Sequence, residues 1–412
     1  MLKLKSIGIK RFKGVMDCVL DLNDNLNLLI GPNGTGKSSI LQAFSFVKSF
    51  AEGAPTKLFE HRAWNPGDIK AKANKNGNAI VAFDILLSDE RGSEYFWQFS
   101  WSLANGSTRT ENLWFRNQGG NLLSVFSYTP KDGLRVGTRK AETTGGVTSK
   151  DFSGSVMDRF IFSSEEGYDS ELVNEWAKSI LSLELLNTSD MRKNAREGDT
   201  SFGHKGEKLA ALLWSLGPTA RENIAGRVSR FYPLTAIETR KKRAGWVELS
   251  IIDGIGGFEV RSPHISDGVL RMIALATLPE VKGAFSIVLL DEVEDGIEPH
   301  HLKSITDDLR TDIGSQALVT SHSPVVANFM LPSEVTMISR DERACTVVTP
   351  LSAMNIFDDE HLNIGDIWMS TSTNALEKNI RAAPRDSTYP ITEKKKTLRQ
   401  EVEAFIAARL ES

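Results

Sequence analysis

The chain opens on alternating positions. Leu2, Leu4, Ile7 and Ile9 are set off by polar residues, Cys18 to Leu22 continues in the same style, and Leu26 to Ile30 is an almost unbroken apolar run. Period-two alternation predicts strands over Leu2 to Ile9 and Cys18 to Leu22, a buried strand over Leu26 to Ile30, and a polar turn at Asn23-Asp24-Asn25. A helical run follows from near Ser39 to about Phe50. From Ala79 to Arg116, Ile80-Val-Ala-Phe-Asp-Ile-Leu-Leu and Tyr95-Phe-Trp-Gln-Phe-Ser-Trp read as antiparallel sheet. Between Gly119 and Ser155 the composition of Gly, Ser, Thr and Lys predicts loop and irregular strand.

The period then changes. Leu172, Trp176, Ile180 and Leu183, and later Leu209, Leu212, Leu213 and Leu216, recur at helical spacing between Asp169 and about Arg230. Strands return at Trp246 to Ile252 and Gly257 to Arg261, then a helix from about Asp267 to Leu278 and a buried strand at Ser286 to Leu290. A helix is expected from after Glu292 through His301 to about Ile313, a strand at Ala317 to Thr320, and a helix after Pro324. Strands alternating with helices imply a mostly parallel α/β core. Heptads are not sustained anywhere, so no long coiled coil is expected.

Composition narrows the class. The 412 residues, 40% hydrophobic, are enough for a large buried core. With 49 basic and 53 acidic residues the net charge is −4, so nucleic acid would have to be met by a local patch. Two cysteines, Cys18 and Cys345, exclude a disulfide framework and a four-cysteine zinc site. The N-terminus lacks the apolar core of a signal peptide, and no run approaches the roughly 20 residues that span a bilayer. A cytoplasmic protein with no membrane partner is expected.

Gly31-Pro32-Asn33-Gly34-Thr35-Gly36-Lys37-Ser38 fits the phosphate-loop pattern at every position, between a strand and a helix. Such a loop turns successive backbone N–H groups toward phosphates, with Lys37 as a cation for the terminal phosphates and Ser38 as a hydroxyl ligand for Mg²⁺. Gly31, Asn33, Gly34, Gly36, Lys37, Ser38 and Ser39 are therefore the expected nucleotide-binding set. Ile287-Val-Leu-Leu-Asp291-Glu292 places two carboxylates at the carboxyl end of a buried strand. Asp291 is then the expected Mg²⁺ partner of Ser38, and Glu292 the base or orienter of an attacking water. Ser266-Asp267-Gly268 opens a helix whose N–H groups and hydroxyl suit a γ-phosphate. His322 follows a short strand and precedes a proline-started helix, a place from which an imidazole can sense the same phosphate.

Taken in order, these pieces resemble the ABC-type ATPase head of the SMC/RecF/OLD superfamily. The phosphate loop stands as Walker A, Ser266-Asp267-Gly268 as the signature, Ile287 to Glu292 as Walker B and His322 as the switch histidine. The resemblance extends to Ile9-Lys-Arg-Phe-Lys-Gly, to Gly203-His-Lys-Gly-Glu-Lys-Leu209 and to Glu294-Asp-Gly-Ile-Glu-Pro-His300. It implies a P-loop NTPase fold with a mixed-sheet lobe, a mostly parallel core sheet and a helical insertion. Residues 1–150 and 246–412 would form the two parts of the head and 151–245 the insertion. It further implies ATP and Mg²⁺ as cofactors, and a homodimer or higher even oligomer in which ATP is held between Walker A of one subunit and Ser266 and Gly268 of the other. Gln98 and Gln118 both remain open as the glutamine-loop residue, and Arg11 as a nucleotide contact.

A transporter ATPase would carry its signature much nearer Walker A than the separation of about 230 residues found here. About 90 residues follow His322, too few for the metal-dependent nuclease domain of OLD proteins, so no intrinsic nuclease activity is expected and Asp358-Asp359-Glu360 reads as a solvated loop. The plan resembles stand-alone ATPases of bacterial anti-phage systems, which implies a separately encoded nuclease or effector partner. A RecF-like DNA-repair ATPase is the alternative. Two basic clusters bear on DNA: Arg240 to Arg243 at a hairpin tip, and Lys394 to Lys396 with Arg399. Leu398, Val402, Phe405, Ile406 and Leu410 share a helical face between Thr392 and Leu410.

Overall fold

The structure, a computed structural model, describes residues 2–71, 79–137, 139–140, 152–165, 167–184, 186–354 and 363–370. The second basic cluster, the 392–410 stripe and Asp358 to Glu360 lie outside the described residues. The chain divides into two units, one of residues 1–24, 31–178 and 332–412, the other of 25–30 and 179–331.

The first unit is built on an antiparallel sheet. Strands Lys3–Phe12 and Val15–Asp21 pair in a hairpin, and Lys3–Phe12 also pairs with Ile80–Ser88. The sheet continues through Glu94–Ser102, Ser107–Arg116, Leu122–Thr129 and Gly133–Val136. Beyond Gly119 the chain is thus more regular than its glycine and serine content suggests, because Val125, Phe126 and Tyr128 bury their side chains while polar neighbours do not. Helix Lys37–Ala51 lies on this sheet through an aromatic layer. Phe50 stacks on Phe99 at 3.9 Å and 4°, and Phe46 stacks on Phe83 at 5.5 Å and 14°. Such pairs add about 1 kcal/mol each beyond their area, so the helix that begins at the phosphate loop is firmly seated.

One buried acid sits in this layer. Glu111 accepts hydrogen bonds from Trp97 Nε1 at 2.9 Å, Ser155 Oγ at 2.6 Å and Val156 N at 2.7 Å. Burial pushes its carboxyl up to about 7 against the pull of those three donors. A raised acid stabilises the fold fully below its unfolded value near 4.5, and the contribution is lost as pH rises through 7. Urea denaturation of the wild type is therefore expected to show stability falling between pH 5 and 8 by on the order of 3 kcal/mol. Glu111→Gln should flatten that profile, and an equal slope in the variant would remove the carboxyl as its cause.

The second unit holds the parallel core. Leu181–Ser182, Ile287–Leu290, Gln316–Ser321 and Leu26–Ile30 pair side by side in that order, all parallel. Their residues are almost wholly buried, as parallel strands covered on both faces must be. Register places Leu290 opposite Val319 and Ser321 opposite Ile30, so three strands end at one edge. A second sheet pairs Leu234–Lys241 with Trp246–Asp253, the latter also holding Glu259–Arg261 and Ala195–Arg196. Helix Leu209–Val228 is kinked at Gly217, whose φ of 85° and the following Pro218 break the ladder. After Glu292 the chain stays non-helical until the turn Pro299–His301, and the helix proper is Leu302–Thr311. Left-handed backbone at Glu292 and Gly296, and Pro299 at the turn's first position, delay it.

Candidate nucleotide site

In the first unit the Gly31–Ser38 loop leads into helix Lys37–Ala51 and is backed by the hairpin Val335–Arg340 and Thr346–Pro350. Gly31 has φ 146°, and a Cβ there would lie 2.0 Å from the carbonyl oxygen of Ile338. Only glycine fits. Thr346 Oγ1 donates to Thr35 O at 2.9 Å, and Thr35 Oγ1 to Pro32 O at 2.9 Å, which fixes the loop from both sides. Lys37 is buried, with Nζ donating to Gly31 O at 2.7 Å and Pro32 O at 3.0 Å. Its ammonium is thus already aimed into the ring of the loop. Asn33 and Gly34 are exposed, and Ser38 and Ser39 half-buried. Arg340 Nη2 would lie 3.9 Å from a Cβ on Gly34, a cation that nothing in the sequence ties to the loop.

Two side residues of this unit are committed elsewhere. Arg11 Nε donates to Ile80 O at 2.9 Å. Gln98 Nε2 donates to Asp84 Oδ1 at 2.8 Å, and Asp84 Oδ2 meets Lys10 Nζ at 3.0 Å, whereas Gln118 is exposed on a turn.

The second unit gathers the acids. Thr320 Oγ1 donates to Asp291 Oδ1 at 2.5 Å and accepts from Glu292 N at 2.9 Å. Glu292 adopts φ 50°, a left-handed backbone that costs a non-glycine residue about 1 kcal/mol or more, and its side chain is 55% exposed. His322 Nε2 lies 3.5 Å from Glu292 Oε1. The backbone N–H of His322 donates to Glu294 Oε1 at 2.6 Å, while Glu294 Oε2 is buried and meets no hydrogen-bond partner among the described residues. Thr320 and Glu294 had no role in the sequence reading. Thr320 was legible only as a residue of the strand that precedes His322, and Glu294 only as part of a resembling segment.

The same unit carries the Ser266 helix, Asp267–Thr277. Ser266 Oγ caps it by accepting from Val269 N at 3.4 Å. Arg192 Nη2 donates to Ile265 O at 2.7 Å and to Asp267 Oδ1 at 2.5 Å. Those hydrogen bonds, from Arg192 first and Thr188 next, hold the Asp267 carboxyl below its ordinary range. A Cβ on Gly268 would lie 2.4 Å from the carbonyl oxygen of Gly296, and Arg271 Nη2 meets Asp295 Oδ2 at 2.5 Å. The helix tip and the loop after Glu292 are therefore in direct contact, at backbone distance and through an ion pair.

Each unit offers donors of the right chemistry. In the first, the loop is a phosphate cradle with a preset ammonium and the Ser38 hydroxyl; in the second, the Asp291 carboxylate is an oxygen donor of the kind Mg²⁺ prefers. Among the described residues no helix is long and apolar enough to cross a membrane.

Comparison with known proteins gives the family. A family described as "AAA domain, putative AbiEii toxin, Type IV TA system" matches residues 26–328. The Septu protein PtuA of Bacillus thuringiensis is 25% identical over 169 residues, 40% of each chain. The DNA replication and repair protein RecF of Psychromonas ingrahamii is 27% identical over 92 residues, and the match spans 26% of that protein. These two matches thus span well under half of either relative. RecF of Lactococcus lactis subsp. lactis is 30% identical over 348 residues, 78% of this chain and 92% of that protein. Among solved structures, an SMC head bound to the C-winged helix domain of ScpA aligns with TM-score 0.47 at 14% identity, covering 84% of this chain and 97% of that one. The assignment rests on the sequence matches and on the order of the motifs. The chain belongs to the family described as AAA domain, putative AbiEii toxin, Type IV TA system, and is an ABC-type ATPase of the SMC/RecF/OLD superfamily.

Proposed function

We propose that this protein hydrolyses ATP as a head-to-tail dimer, and that its assembly state controls a separately encoded nuclease or other effector in anti-phage defence. The observation that carries the reading is the contact of the Ser266 helix with the loop after Glu292, through Gly268, Gly296, Arg271 and Asp295. In that reading the backbone N–H groups of Gly31, Asn33, Gly34 and Gly36 and the Lys37 ammonium bind the phosphates. Ser38 and Asp291 hold Mg²⁺, which when bound neutralises phosphate charge. Glu292 orients and deprotonates the attacking water, His322 positions the Glu292 carboxylate and senses the γ-phosphate, and Ser266 and Gly268 complete the site of the partner subunit.

Likeness to PtuA supports the defence role, and likeness to RecF supports a second reading, a repair ATPase on duplex DNA. The Arg240 to Arg243 tip is one of the two basic clusters that bear on DNA. There Arg240 faces Glu259 at 3.9 Å, Lys241 faces Glu197 at 2.6 Å and Lys242 faces Glu248 at 2.6 Å. Carboxylates beside three of the four cations weaken a phosphate patch, which favours the first reading.

Complementation tests the shared site. Lys37→Ala and Ser266→Arg are each expected to lower ATPase activity about 100-fold or more. A one-to-one mixture should regain activity, because a mixed dimer restores one composite site from the intact loop of one chain and the intact helix tip of the other. Absence of any recovery, with both variants folded, would sink the head-to-tail arrangement.

A further inference from the structure

Among the described residues one group of three ligating side chains brings its donor atoms within 4.8 Å of one another: Glu298, His300 and His301. It lies outside the nucleotide residues, on the turn Pro299–His301 that opens helix Leu302–Thr311. The turn is closed by His301 N donating to Glu298 O at 2.9 Å, with Pro299 fixing the backbone between acid and imidazoles. His301 is held on its other side by Phe231, ring centroids 4.7 Å apart, and its side chain is 15% exposed. His300 packs beside it with centroids at 3.7 Å and 58° between the planes, so the rings cross rather than stack flat.

Both separations are longer than a direct charge-assisted hydrogen bond, and the shorter one is that of two ligands sharing an ion. Glu298 Oε2 lies 3.3 Å from His300 Nε2 and 3.8 Å from His301 Nε2. A charge-assisted hydrogen bond would be about 2.7–2.9 Å. Ligands bound at about 2.0–2.2 Å from a tetrahedral ion stand roughly 3.3–3.5 Å apart. One carboxylate oxygen equidistant to within half an ångström from two imidazole nitrogens is the donor set of an open three-ligand site, with solvent to fill the remaining positions.

We propose that Glu298, His300 and His301 bind one divalent transition-metal ion of the zinc class. Two imidazoles and one carboxylate select Zn²⁺, Co²⁺ or Ni²⁺ over Mg²⁺, which asks for oxygen ligands and keeps its waters. The site is independent of the nucleotide reading, since none of its ligands serves ATP.

The experiment titrates the full chain, freed of metal and nucleotide, with Zn²⁺ against a chromogenic chelator, and with Co²⁺ followed by its visible absorption. Wild type is expected to bind one equivalent more than Glu298→Gln/His300→Ala/His301→Ala, and the cobalt band should vanish in that variant. His322→Ala, which removes an imidazole 3.5 Å from the Glu292 carboxylate, should keep the additional equivalent. Because His301 is partly packed, His300→Ala alone serves as the second variant. Its side chain is 66% exposed, so folding is not at stake, and affinity should fall at least tenfold. Equal zinc stoichiometry and affinity in wild type and the His300 variant, or no binding by wild type, would overturn the proposal.

Discussion

Glu292→Gln is expected to lower steady-state ATP turnover by about 100- to 1,000-fold while leaving ATP bound. The amide keeps the shape of the side chain and removes its ability to take a proton. The local geometry explains why the acid is singled out. Its backbone is held left-handed, its N–H is tied to Thr320 Oγ1, and the same hydroxyl donates to Asp291. One threonine thus ties the Asp291 carboxylate to the Glu292 backbone. The exposed Glu292 side chain, 3.5 Å from His322, is the only member of the trio turned mainly toward solvent among those described. With turnover blocked and binding intact, the closed oligomer should accumulate, seen as an ATP-dependent mass increase by light scattering after size exclusion. Turnover equal to wild type would show that another group activates the water.

The second large effect falls on Gly31. Gly31→Ala sets a methyl 2.0 Å from the Ile338 carbonyl oxygen at a φ of 146°, where alanine is strained even in open space. Backbone faces backbone there, so no side-chain rotation relieves the clash. The loop must leave the Val335–Arg340 strand, dragging the N–H groups and Lys37 out of register. A fluorescent ATP analogue is expected to lose about 100-fold or more in affinity, and thermal unfolding to report a loss of roughly 2–4 kcal/mol. A variant with unchanged melting temperature and affinity would mean that the Ile338 strand does not brace the loop.

Much of this was legible in the chain. The loop pattern, the acid pair after Leu290, the serine before the Asp267 helix and His322 were each marked by residue type, spacing and an apolar run that placed them at strand or helix ends. The parallel core followed from Ile287 to Leu290 and Ala317 to Thr320, short buried runs between helices. What was not legible depends on contacts distant in the chain. Ile338 bracing Gly31, Thr346 bonded to Thr35 O, and Arg192 on Asp267 join segments with no common pattern. The strand Leu122–Thr129 was obscured by composition, since Gly and Ser around it outweighed its few buried aromatics. The late start of helix Leu302–Thr311 was missed because apolar spacing carries across a turn that Pro299 and Gly296 forbid to be helical.

The meeting of Gly268 with Gly296 reaches further than local packing. The two backbones touch and Arg271 pairs with Asp295 beside them, so in the proposed assembly a rearrangement of the Glu292 loop around its own nucleotide would be passed to the serine that the chain lends to its mate. In the proposed assembly the two catalytic centres would then fire with mutual awareness, giving cooperative rather than independent dependence on ATP concentration.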